Sequence, residues 1–171
     1  MIIAKGSGNM GDLLGMVYVC ENVTPDENIV KNLKIVDKKN RFFTEFDTHI
    51  QRFYKINRNG RQYLTENVWE NIEKSEKVQA LLADSSWFGE MNHPMPVIAG
   101  EKLHNLRLTD IDPANTSHKI TKPRLSGKDF LDATIQTDPS TEAGRNFATK
   151  IAMGMIPNFS SRAFGDLVSV G

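Results

Sequence analysis

The stretch DFLDATIQT, Asp129–Thr137, sets Leu131, Ala133 and Ile135 against Asp132, Thr134 and Gln136 in strict alternation. Period two marks a strand with one buried and one wetted face, because successive side chains leave a strand on opposite sides. Such a strand belongs to a sheet whose apolar face needs a second layer over it. Directly after it, DPSTEAGRNFATKIAMG reads as a helix. Ser140 or Thr141 caps it, Glu142 sits in its first turn and Gly154 ends it.

The rest of the chain fits the same frame. GMVYVCENV (Gly15–Val23) is β-branched and aromatic, and reads as a strand. Phe42 to Ile56 carries two periods at once: Phe42, Phe46, Ile50, Tyr54 and Ile56 fit a strand face, whereas Phe42, Phe46, Ile50 and Phe53 fit a helix. The β-rich HIQRFYKI favours the strand. NRNGRQY then supplies an Asn-Gly turn. Thr65 is placed to cap a helix over ENVWENIEKSEKVQALLAD, with Val68, Ile72, Val78, Leu81 and Leu82 as its apolar stripe. LHNLRLTDI alternates Leu106 and Leu108 with polar neighbours and reads as another strand. Residues 1–12 are glycine-rich and read as loose, and Thr24 to Asn40 as a polar loop with a short element. The expected class is α+β: a mostly antiparallel β-barrel or sheet with two or more helices packed outside.

Length and charge narrow the function. The 171 residues suit one domain, residues 1–171, and a 39% hydrophobic content supports a packed core. Twenty-one basic residues balance twenty-one acidic ones, which gives no electrostatic case for nucleic acid or a membrane surface. No apolar run approaches the roughly 20 residues that span a bilayer, and no signal peptide is read. The single cysteine, Cys20, lies in a strand-like run and is read as a buried thiol in a reducing compartment. His49, His93, His104 and His118 have no i, i+4 spacing, and there is no CxxC, GxGxxG, Walker loop or GxSxG. No metal or cofactor is expected.

What remains is a serine with a histidine. A hydroxyl becomes a nucleophile when a base takes its proton, and imidazole has a suitable pKa. His93 lies in SSWFGEMNHPMPVIAG, too irregular for a helix and too proline-rich for a central strand. Ser160 lies between a helix end and the strand-like SSRAFGDLVSV. Taken alone, these residues allow two readings: base and nucleophile, or a surface loop histidine and a turn hydroxyl.

Three blocks in order carry a resemblance. NRNGRQY (Asn57–Tyr63), FGEMNHP (Phe88–Pro94) and GMIPNFSSRAFGDL (Gly154–Leu167) resemble the Asn-Arg-Asn-x-Arg-x-Tyr, Gly-Glu-x-Asn-His-Pro and Ile-Pro-x-x-Ser-Ser-Arg blocks of the prohead core proteases of tailed phages. The resemblance implies a fold similar to the herpesvirus assembly proteases. It implies a serine endopeptidase inside the prohead, in the host cytoplasm, that trims capsid and scaffold proteins during maturation. Carried over by position, His93 matches the catalytic histidine and Ser160 the nucleophile, with Ser161 as the alternative serine. Backbone N–H groups near Ser161 and Arg162 are the candidate oxyanion donors, and Arg162 could also act through its side chain or neutralise a carboxylate. Glu90 is the nearest candidate for a third member and Asp166 a weaker one. The true member is otherwise expected beyond residue 171, on C-terminal strands that the 171 residues are read as lacking. The resemblance further implies a zymogen that cuts itself, a homo-oligomer, and cleavage after glutamate, for which Arg61, Arg124 and Arg145 are candidate partners. The rival reading is a non-catalytic assembly or scaffold module that keeps the fold.

Overall fold

The alternation of Asp129–Thr137 is realised at the centre of a sheet. The computed structural model describes residues 2–6, 19–23, 27–57, 60–91, 97–99, 102–104, 111–163 and 165–169. Along the chain run β1 (Ile2–Gly6), β2 (Val19–Val23), β3 (Lys31–Asp37), β4 (Asn40–Arg52), β5 (Arg61–Gln62), α1 (Thr65–Lys74), α2 (Glu76–Ala83) and β6 (Phe88–Glu90). There follow β7 (Val97–Ala99), β8 (Lys102–His104), β9 (Thr116–Ser126), β10 (Phe130–Thr137), α3 (Glu142–Ala152), β11 (Phe159–Ala163) and β12 (Gly165–Ser169).

Five strands form an antiparallel sheet in the order β3-β4-β10-β9-β6. β1 pairs antiparallel with β12 and parallel with β5, and β11 pairs antiparallel with β2. Of the barrel and sheet foreseen, the described strands make an open sheet. The α+β class and the mostly antiparallel pairing are as expected.

Alternation along β10 sends Ala133 and Ile135 into one core cluster with Phe46 of β4, Phe147 and Ile151 of α3, and Phe159 of β11. Phe46 and Ile135 are fully buried, each contributing roughly 1.5–3 kcal/mol through burial. A second cluster joins Phe53, Tyr63, Ile72 and Leu131, with Val68, Trp69, Val78 and Trp87 packed against it. Ile50 packs against both.

The double period of Phe42–Ile56 has a physical origin. Leu131 faces Gln51 and Asp132 faces His49, so Ile50 is an extra residue in β4. This bulge shifts the strand by one position. Phe53 is therefore fully buried, whereas Tyr54 and Ile56, expected on the apolar face, are exposed.

Three other expectations are corrected. Ile2–Gly6 is not loose: it is β1, with Ile2 opposite Ser169 and Gly6 opposite Gly165. The short element expected within Thr24 to Asn40 is the seven-residue strand β3, which is in line with the reading. The first helix is two helices, because Ser75 has extended backbone and its Oγ accepts from the Val78 N–H as cap of α2. Thr65 is the first residue of α1, and Leu64 precedes it without a side-chain cap bond. By contrast, Thr141 does cap α3, accepting from the Gly144 N–H at 2.9 Å. Gly154 leaves α3 with φ +95°, a conformation that suits glycine. Leu106 and Leu108 lie outside the described residues.

Candidate active site

The histidine block enters on the edge strand β6. Phe88 faces Lys119, Gly89 faces His118 and Glu90 faces Thr116 of β9. Gly89 is required by its neighbour, since a Cβ there would overlap the His118 ring. His118 is itself buried. Its Nδ1 is hydrogen-bonded with Ser117 Oγ at 2.8 Å, and its ring meets Phe159 edge-on at 5.5 Å and Phe147 at 5.7 Å. Burial pushes its pKa down to about 4, so the ring is neutral near pH 7.

Beyond Gly89, Glu90 accepts from Asn115 Nδ2 at 3.3 Å. Thr116 Oγ1 donates to Asp138 at 2.5 Å, and Thr141 Oγ1 donates to the Thr116 carbonyl. These bonds tie β6 and β9 to the start of α3. For Asp138, burial alone would raise the pKa. Hydrogen bonds from Ser140 and Thr116, with Arg145 nearby, outweigh it and hold the carboxyl below its usual value. Met91, two residues before His93, packs against the core cluster that contains Phe159.

The serine block reaches the same cluster through Phe159. Pro157 is buried, and its carbonyl accepts from Asn28 Nδ2 at 2.7 Å. Asn28 Oδ1 in turn accepts from the Ile29 N–H at 2.8 Å, Thr48 Oγ1 at 2.9 Å and the His49 N–H at 3.1 Å. One buried amide therefore pins the approach to β11 onto β4. Phe159 follows in the core, and the backbone of Ser160 pairs with Asn22, Ser161 with Glu21 and Arg162 with Cys20.

The structure thus brings the flanks of the two blocks onto one apolar cluster, through Met91 and Phe159. His93 lies outside the described residues. Ser160, Ser161 and Arg162 are neighbours on β11, and Asp166 is on β12 opposite Lys5. Arg124 is elsewhere. It pairs with Asp47 at 3.1 Å and donates to Thr134 Oγ1 at 3.2 Å, on the sheet face opposite Ala133 and Ile135. Arg145 Nη1 donates to the Pro139 carbonyl, and Arg61 is in β5.

Sequence reasoning passed over Asn28, His118 and a further pair. His49 Nδ1 is hydrogen-bonded with Asp132 Oδ1, and the His49 ring stacks on Phe130 at 3.8 Å. This pair lies on the outer sheet face with Asp47 and Thr134, away from Phe159. The one signal for it is that Asp132 falls on the polar phase of β10. Among the described residues, no group of three or more His, Cys, Asp or Glu side chains is placed to hold a metal ion. No described helix is long and apolar enough to cross a membrane.

Comparisons with known proteins bear on the family and the fold. The Peptidase S80 family matches residues 50–169, a region that includes the histidine and serine blocks. The solved structure of the bacteriophage T4 capsid assembly protease, gp21, superposes with a TM-score of 0.58 at 20% sequence identity, covering 91% of this chain and 84% of that one. Among curated proteins, none matches the sequence.

Proposed function

Because the chain belongs to the Peptidase S80 family, and so is a peptidase, we propose that it is a serine endopeptidase that cleaves capsid and scaffold proteins inside a phage prohead, with Ser160 as nucleophile and His93 as base. The observation that carries this reading is the convergence of Met91 and Phe159 on one core cluster. It draws together two blocks that lie far apart in the chain. The fold shared with a phage capsid assembly protease supports the setting.

In this reading Ser160 Oγ attacks the scissile carbonyl while His93 accepts its proton. His93 then passes that proton to the leaving amine, and water completes the cycle by the same route in reverse. The developing oxyanion is met by a backbone N–H of β11. Neighbouring amides of a strand alternate in direction. With β2 on one side of β11, one N–H of the Ser161–Arg162 pair faces away from the ladder and takes that role. Loss of such a donor costs about 10²–10³ in rate. Glu90 is a positioning carboxylate that holds β6 through Asn115. Cleavage follows glutamate, self-processing releases the mature enzyme, and the enzyme works as a homo-oligomer.

The test is incubation of the chain with a glutamate-containing scaffold peptide beside Ser160→Ala and His93→Ala variants, with products identified by mass. The expected result is cleavage after glutamate by the parent and loss of cleavage in both variants. A folded parent that binds such peptides without cutting them, while variants bind equally, would favour an assembly module instead.

A further inference from the structure

β3 ends the five-stranded sheet, and no described strand pairs with its outer edge. All seven of its residues are exposed. Leu33, Ile35 and Val36 are 45%, 53% and 41% exposed, on a strand that nothing in the hairpin itself requires to be apolar. Ile35 lies opposite Thr44 of β4. It therefore extends the sheet face that carries Phe46, beyond the reach of α3.

The charges on this hairpin are one-sided. Lys31, Lys38, Lys39 and Arg41 are exposed. Lys34 is matched by Glu45 at 2.9 Å, and Asp37 accepts from the Lys39 N–H in the turn. Within a chain of zero net charge, Lys31, Lys38 and Lys39 form a local concentration of exposed cations, while Arg41 lies over the Phe42 ring at 4.8 Å. Lysine on an edge strand ordinarily blocks pairing. Here it blocks pairing with another positive edge, including a second copy of β3, because like charges would face each other. It does not oppose a strand that carries carboxylates.

We propose that the outer edge of β3 is a docking site for an acidic, extended segment of a partner protein. The segment adds as a sixth strand through main-chain hydrogen bonds. Its apolar residues cover Leu33 and Ile35, and its carboxylates meet Lys31, Lys38 and Lys39. β3 and the serine block lie in different sheets, so docking does not depend on which serine is the nucleophile.

The probe is a short peptide alternating aspartate with valine, titrated against the intact chain and against Ser160→Ala. Aspartate keeps the peptide from presenting glutamate to the active site. Expected are equal binding to both proteins, slowed amide exchange within Lys31–Asp37, and affinity that falls as salt rises. The Lys38→Glu/Lys39→Glu variant should bind at least tenfold more weakly while keeping its peptidase activity. A peptide with N-methylated backbone amides should not bind. Absence of binding, binding without protection of β3, preference for the lysine counterpart of the peptide or for nucleic acid, or concentration-dependent pairing of the chain with itself through β3 would each overturn the proposal.

Discussion

The His118 imidazole lies against the Cα of Gly89, in the space a Cβ would fill, and the same ring meets Phe159 edge-on at 5.5 Å. One buried ring therefore spaces the strand that leads to His93 from the strand that carries Ser160. Gly89→Ala should force the ring to move within a packed cluster, costing about 1–3 kcal/mol as overpacking does, with a larger fractional loss of peptidase rate. Thermal or denaturant unfolding, with cleavage measured where the variant is folded, checks this. Combining Gly89→Ala with His118→Ser should recover part of the stability lost by Gly89→Ala alone, because the second change removes the clash. Strict additivity would mean that the two residues do not touch.

The same ring sets a pH dependence. Its folded pKa of about 4 lies below the ordinary 6.5, so between these values the unfolded chain binds more protons than the folded one. The neutral ring's contribution is complete above pH 6.5. It is lost as pH falls towards 4, up to a limit of about 3 kcal/mol. Glu45 and Asp47 act lower. Glu45 is held below its usual value chiefly by the hydrogen bond from Gln136. For Asp47, burial opposes ionisation, but bonds from Thr134, Asn32 and Arg124 outweigh it. These carboxylates add their losses below about pH 4.5. Unfolding free energy measured from pH 7 to 4.5 should therefore fall in the parent and be markedly flatter in His118→Gln.

Asn28 holds the Pro157 carbonyl and receives three donors on its own oxygen. Asn28→Asp keeps the acceptor and removes the donor. It should lower stability by about 1–3 kcal/mol, because the buried carbonyl of Pro157 then faces a carboxylate. Because the affected bond positions the run into Phe159 and Ser160, the expected kinetic signature is a fall in kcat with little change in KM. An unchanged kcat in the folded variant would remove Asn28 from the positioning of the serine block.

Arg124 is committed to Asp47 and Thr134 on the outer sheet face. Arg124→Gln should leave the preference for the residue before the scissile bond unchanged. The stability cost should be within about 1 kcal/mol, since the guanidinium is half-exposed. A changed preference in the product spectrum would place substrate recognition on that face after all.

The residues that alternate cleanly were legible. Ala133 and Ile135 gave β10, and Thr141 gave the cap of α3, because one local rule governs each. Where two rules competed, the sequence was ambiguous. The bulge at Ile50 mixes two phases in one strand, so Phe53 and Tyr54 exchange their expected places. β9 was missed because its polar run is broken by Lys122 and Pro123. The register with β10 moves from Thr121 opposite Thr134 to Arg124 opposite Asp132, and Lys122 has φ +49°. Proline is admitted in a paired strand at such an irregularity. The positioning residues Asn28 and His118 left no local trace, since their partners Pro157, Gly89 and Phe159 are brought to them only by tertiary pairing. The blocks around His93 and Ser160 were legible through resemblance, and the shared cluster of Met91 and Phe159 supplies the physical link between them.

The pairing of His93 with Ser160 is tested most directly by reaction with a fluorophosphonate, which phosphonylates a serine only when a neighbouring base activates it. Intact-mass and peptide analysis should find one adduct per chain, on Ser160, absent from Ser160→Ala and strongly slowed in His93→Ala. An adduct on Ser161 instead, or labelling of Ser160 at an undiminished rate without His93, would contradict the assignment.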